Sequence, residues 1–512
     1  MRQIRLVSAF FTVGAWTMAS RILGFVRDIM IAAFLGAGPA AEAFLIAFSL
    51  PNLFRRFFAE GAFNMAFVPM FSKKLEGGED PKAFAQDAFA GLAGVLIVVT
   101  VIALFAMPWL VIAMASGFVG DERFDLAVDY GRIAFPYILF ISLAALLSGV
   151  LNATGRFVAA AAAPVLLNVL FVAAMLIADA RGWPIGNALA VTVPIAGVAQ
   201  FALVWWAAAR AGFALRPRWP KLTPDIKRLA IIAAPAALAG GVVQVNLLVG
   251  RQVASFFDGA IVWLGFADRL YQLPLGVVGI AIGVVLLPDL SRRLRADDGA
   301  GGQNAFNRAA EIALALTVPA AVALAVIPAA LVSVLFERGA FTDEDTAATA
   351  LAVAVYGLGL PAFVLQKVLQ PLYFAREDTK TPFYYALVAL VVNAVIAIGL
   401  APLIGYIAAA WGTTLAGWAM AFLLWRGTKG MGAAAEIDTR FRDRIWRIVA
   451  AALVMGAVLW VAAWLGSPAL EAPTWRYLAL AGLVALGAAT YFGAAQVLGA
   501  LRVTELREAL RR

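Results

Sequence analysis

Long apolar runs follow one another almost without pause along this chain, and they constrain it more than any other feature. Fourteen segments, near 6–35, 41–72, 82–116, 124–152, 157–179, 185–210, 223–256, 260–290, 304–336, 344–375, 381–402, 404–426, 444–466 and 474–500, are separated only by short polar or Gly/Pro joints. A helix crossing a bilayer uses about 20 apolar residues. Of the 512 residues 63% are hydrophobic and 14% charged, against about 45–50% and about 25% in soluble domains. In water such a chain would expose large apolar patches. The expected fold is all-α and polytopic, with about fourteen transmembrane helices, several long enough to tilt or kink.

Composition removes whole classes of chemistry. There is no Cys and no His, so thiolate–His and Ser–His–Asp catalysis, disulfides and the usual zinc spheres are excluded. No G-x-x-x-x-G-K-[ST] occurs, so there is no Walker-type ATP motor. Catalytic residues, cofactors and metal sites are therefore not expected. The net charge of +9 has another origin than nucleic acid. With the N-terminus inside, 28 Lys and Arg fall in the even-numbered joints and tails, and only Arg123, Arg181, Arg338 and Arg476 fall outside. That bias places both termini in the cytoplasm. Met1-Arg2-Gln3-Ile4-Arg5 resembles a signal n-region, but the stretch behind it is long and carries Arg21 and Arg27. We read it as a retained first helix.

The chain repeats itself. Leu50-Pro51 and Leu273-Pro274 lie 223 residues apart, Pro69 and Pro288 219, and Pro136/Pro361 and Asn168/Asn393 225 each. These offsets divide the chain into two six-helix lobes, 1–215 and 220–430, and a helix pair with a cytoplasmic tail, 440–512. An even helix count relates the lobes by an axis along the membrane normal, an arrangement in which transporters hold substrate between halves that rock.

Charges within the apolar segments mark the functional candidates. Each central Arg costs about 2.5–3.5 kcal/mol if it faces lipid. Arg21, Arg27, Arg55 and Arg269 are therefore expected to line a watery cavity; Arg56 and Lys367 fit snorkelling or rim positions better. The alternative is local pairing of Arg27 with Asp28, Arg55 with Glu60 or Arg269 with Asp268. Adjacent residues point to different faces, and i,i+5 is a poor spacing. Five Arg against Asp28, Glu42, Glu60 and Asp268 make the cavity cationic, suited to phosphate oxygens. Gly24, Pro51 and Pro274 lie beside these charges as candidate hinges. Ion coupling is less legible: the second lobe offers no carboxylate beyond Asp268 apart from residues at its helix ends, and Asn393, Thr413 and Thr414 suit interhelical bonds.

Four ordered blocks resemble the MurJ (MviN) family. They are Ser20-Arg21-Ile22-Leu23-Gly24-Phe25-Val26-Arg27-Asp28, Leu50 to Phe63 (LPNLFRRFFAEGAF), Ala267-Asp268-Arg269-Leu270-Tyr271-Gln272-Leu273-Pro274 and Phe374 to Pro382 (FAREDTKTP). The resemblance covers essentially the whole chain. It implies a multi-pass flippase of the bacterial inner membrane that moves lipid II, the undecaprenyl-pyrophosphate-linked disaccharide-pentapeptide, to the periplasmic leaflet. It implies that Arg21, Arg27, Arg55 and Arg269 bind the pyrophosphate, supported by Ser20, Gly24, Asp28, Glu42, Glu60 and Asp268, and that helices 13 and 14 take the lipid tail. Implied partners are lipid II, membrane lipids and the cell-wall synthesis machinery. Where some relatives have acids that form a sodium site, this chain has Gly250 and Ala397. Three rival readings remain: a flippase for another undecaprenyl-linked glycan, a MATE-like drug exporter, which the arginine excess opposes, and a non-transporting scaffold.

A chain without cysteine allows orientation to be read without background. In spheroplasts, an impermeant maleimide should label Trp183→Cys and leave Glu79→Cys unlabelled; the opposite pattern would invert the topology.

Overall fold

A computed structural model describes residues 2–56, 64–216, 218–296 and 298–500, and their regular structure is all helical, without strands. The chain forms α1 (Arg2–Leu35), α2 (Pro39–Arg55), α3 (Asn64–Gly77), α4 (Pro81–Phe105), α5 (Met107–Ala115), α6 (Glu122–Ala134), α7 (Tyr137–Ala153), α8 (Val158–Arg181), α9 (Ile185–Arg210) and α10 (Pro224–Ala254). It continues as α11 (Ala260–Arg295), α12 (Gly299–Val326), α13 (Pro328–Phe336), α14 (Asp343–Phe374), α15 (Lys380–Ile404), α16 (Ile407–Gly427), α17 (Thr439–Leu465), α18 (Ser467–Glu471) and α19 (Arg476–Val497).

Among the described residues nine helices are long and apolar enough to cross a membrane. A tenth results if α6 and α7, bent by 42°, make one span. The expected count of fourteen is thus not reached on this criterion, although α1, α10 and α11, at 34, 31 and 36 residues, exceed the about 20 that a crossing needs. Three expected single segments are broken. The run 82–116 divides at Ala106 before Pro108, 124–152 at Pro136, and 304–336 at Ile327 before Pro328. Proline lacks the N–H that would continue the ladder, so each starts a new helix. The first and last breaks recur at matching places: Pro108 and Pro328 are 220 residues apart, and each opens a nine-residue helix. Gly24, Pro51 and Pro274, expected as hinges, instead lie inside continuous helices.

Helix starts are capped at the polar joints. Asp80, Asp121, Thr223, Asp298 and Asp438 accept from backbone N–H groups of the first turn, and Thr342 forms a capping box with Asp345. Each satisfies donors that a helix leaves unpaired.

The chain forms two compact units: Met1–Val262 with Gly339–Phe341, and Trp263–Arg338 with Thr342–Arg512. In the first, α1 packs on α8, α7 and α8 on α9, α2 on α6, and α10 on α3, α4 and α5. Buried Gln200 donates to the Ala163 carbonyl (2.8 Å) and accepts from the Tyr137 hydroxyl (3.2 Å), tying α9 to α8 and α7. At the end of α1, Ala340 N donates to the Ala33 carbonyl (2.8 Å). Gly36 and Gly339 flank that contact at φ +58° and +59°, where a Cβ on either would strike the opposing backbone; both positions demand glycine.

In the second unit, α14, α15 and α16 approach closely through small residues. Gly412 lies against Asn393, and Gly359 and Gly417 against Phe363, the small-residue packing that membrane helices use. The C-terminal pair α17 and α19 docks on α12. Glu311, only 3% exposed, accepts from Arg308 and Arg444 and, at 3.4 Å, from Arg440; the Tyr491 hydroxyl donates to the Ala315 carbonyl at 2.6 Å. Removing one member of such a buried set leaves charge uncompensated, at about 3–5 kcal/mol. Glu311→Ala should therefore lower the thermal unfolding midpoint in detergent markedly, and more than Arg440→Ala, whose side chain is 44% exposed.

Candidate functional site

The sequence-selected charges separate into three environments. The most built of them lies where α1 meets α8. Arg27, 9% exposed, directs Nε and Nη2 to Asp28 Oδ1 at 3.0 and 2.8 Å, and Nη1 to Asn168 Oδ1 at 3.0 Å. Its guanidinium carbon is 5.7 Å from the Phe171 ring centroid, and Phe44 and Phe48 of α2 pack on the same ring. Asn168 holds α8 to α1 in turn, donating to the Ser20 carbonyl (3.0 Å) with Ser20 Oγ at 3.5 Å. Gly24 makes room for this: a Cβ there would already touch Asn168 at 3.5 Å. Ser20, Gly24, Arg27 and Asp28 are thus brought together.

The pairing of Arg27 with Asp28 corrects the expectation drawn from sequence spacing. Neighbouring Cβ atoms do diverge on a helix, but the arginine stem is long enough to curl back along the surface, and burial favours the nearest carboxylate. Arg27 is accordingly a held cation, with its remaining donor face taken by an amide.

Arg21 and Arg269 stand differently. Both are exposed, in the middle of α1 and about 13 Å along α11. No hydrogen bond or ion pair to Arg21 occurs among the described residues. Beside Arg269, Asp268 accepts from Gln272 one turn on, and the Tyr271 ring packs at a tilt beside Tyr356 and Phe363. Arg55 is half-buried in the last turn of α2 and donates through Nε to Asn52 Oδ1 at 3.3 Å. Glu60 lies outside the described residues.

Glu42 belongs to a separate knot. It is 1% exposed and accepts from Arg123 Nη1 (3.0 Å) and from the Ile261 backbone N–H (3.2 Å). Arg123 also pairs with Asp121 (2.6 Å) and Asp258 (3.0 Å) and lies 4.6 Å over the Phe118 ring. Sequence reasoning counted Arg123 only as an outside-joint charge; the flanking Asp121 and Phe118 were the available signal. Burial raises the Asp121 pKa, but hydrogen bonds and charge from Arg123 outweigh it and hold the carboxyl below its usual range. Ala397 is fully buried against Gly412, and no cluster of three metal-ligating side chains occurs among the described residues.

Comparison with known proteins follows the same outline. The family described as "Lipid II flippase MurJ" matches residues 31–484. A protein of Rhizobium meliloti (strain 1021) named "Probable lipid II flippase MurJ" is 44% identical over 522 residues, covering 99% of this chain and 96% of that one. A solved structure titled "Lipid II flippase MurJ, inward closed conformation" aligns with TM-score 0.79 at 24% identity, over 95% of this chain and 98% of that one. An inward-facing multidrug resistance MATE family transporter of the MOP superfamily aligns with TM-score 0.65 at 14% identity, over 86% and 98%. These structural likenesses concern the fold.

Two outcomes are expected here. Asn168→Leu leaves an N–H donor of buried Arg27 and the Ser20 carbonyl acceptor without their partner and should destabilise by about 1–3 kcal/mol, read as a fall in unfolding midpoint. Because the Asp121 pKa is depressed by folding, its stabilisation is complete above the ordinary value of 3.8 and is lost as pH falls through the folded value. Asp121→Asn should therefore flatten acid destabilisation below about pH 4 and change little at pH 7 in its pH dependence.

Proposed function

Because the chain belongs to the MurJ family, we propose that it is a lipid II flippase of the bacterial inner membrane. It carries the undecaprenyl-diphosphate-linked disaccharide-pentapeptide from the cytoplasmic to the periplasmic leaflet. It makes and breaks no covalent bond, so its work is to lower the barrier for taking a diphosphate and sugars through hydrocarbon.

In this reading Arg21, Arg55 and Arg269 bind the diphosphate oxygens, and guanidinium suits them by geometry and by permanent charge. Arg27, held by Asp28 and Asn168, adds field and positions α1 against α8. The lobes 1–215 and 220–430 open alternately to the two leaflets, with 440–512 alongside for the tail. One observation carries the proposal: Arg21 stands exposed in the middle of a 34-residue helix with no acidic partner among the described residues. An arginine so placed costs energy unless water or an anion meets it.

The same geometry decides which substitution is informative. Arg27→Ala would remove the guanidinium that pairs with buried Asp28 and joins α1 to Asn168, and would unsettle the fold. Arg21→Ala removes a side chain that no described residue leans on. In cells depleted of the native protein, Arg21→Ala and Arg269→Glu should cut the externally accessible pool of lipid-linked precursor at least tenfold, at normal membrane levels. A charge-assisted bond of about 1.5–3 kcal/mol sets that scale. Normal export by a stably inserted Arg269→Glu would overturn the assignment.

A further inference from the structure

The first unit carries a cavity of about 1360 Å³ that none of the candidate arginines lines. Its walls come from Thr12 and Trp16 of α1, the turn between α7 and α8, one face of α8 and the end of α9. The α8 lining runs from Val158 to Val169 in steps of three and four residues, a stripe about 16 Å long. None of the lining residues is acidic, and the two charged ones, Arg156 and Arg210, are both cationic. They sit at one end of the stripe, where α7 ends, α8 begins and α9 ends. Both are exposed, and neither has an ion-pair partner among the described residues. The Arg210 guanidinium lies 4.0 Å from the Trp206 ring centroid.

We propose that this cavity is a binding site for one anionic phospholipid. The phosphate rests on Arg156 and Arg210, and the acyl chains lie along the α8 stripe between Trp16 and Leu203. Charge complementarity selects the occupant. A free phosphate would leave the apolar stripe unused, and a zwitterionic lipid brings an ammonium toward two guanidinium groups. Tryptophan at the cationic end suits the headgroup boundary, where an apolar ring with one polar edge is favoured. The site does not depend on the flippase reading.

The full-length purified protein, titrated with phosphatidylglycerol or phosphatidylcholine of identical chains, reports occupancy by native mass spectrometry. Phosphatidylglycerol should be held at least tenfold more tightly, and the preference should fall to about twofold or less in Arg156→Gln/Arg210→Gln. Ala162→Trp fills the stripe while keeping both arginines and should lose the lipid, so the test survives a double variant that fails to fold. Equal retention of the two lipids, an unchanged preference in the folded double variant, or full occupancy in Ala162→Trp would overturn the proposal. So would displacement of phosphatidylglycerol by equimolar undecaprenyl phosphate, which would give the cavity to a polyprenyl lipid.

Discussion

A guanidinium among apolar helices must be met by a carboxylate, an amide, water or an anion, because leaving it bare costs more than most single contacts return. That requirement organises both units. Arg27 is met by Asp28 and Asn168, Arg123 by Glu42, Asp121 and Asp258, and Arg444 by Glu311. Each group joins helices that are otherwise held by apolar and small-residue packing: α1 to α8, α2 to α6, and α12 to α17. Arg21, exposed in the middle of α1, has no such partner among the described residues.

Acid placement draws this division. Asp28 follows Arg27 directly and shares its burial, so the pair is electrically closed before any ligand arrives. Glu42 sits in the first turn of α2, where a carboxylate is also favoured by the helix dipole, and is taken up by Arg123. Each acid is thus committed to a guanidinium within the first unit.

Much of the architecture could be read from hydropathy alone, since crossing helices are continuous in both sequence and space. The runs 185–210, 344–375 and 404–426 correspond to α9, α14 and α16 within one to three residues at each end. The failures have specific causes. Proline was weighed as a hinge where it stood beside charge, at Pro51 and Pro274, but helices continue through both, while Pro108, Pro136 and Pro328 break theirs. Local sequence does not distinguish these cases, because a break depends on whether neighbours can satisfy the freed carbonyl. At the site, cost identified Arg21, Arg27, Arg55 and Arg269, yet not their partners. Asn168 appeared only as one member of a repeat, since a lone amide in an apolar helix carries no sign of what it will face. Arg123 was hidden by its position in a joint.

The glycine contact at the end of α1 bears on how the protein can be divided. The chain leaves its first unit at Val262 and returns to it for Gly339–Phe341, where Gly36 and Gly339 lock backbone to backbone. Two gene fragments cut at the unit boundary would therefore not yield two self-sufficient pieces: the first would lack three residues that only the second encodes.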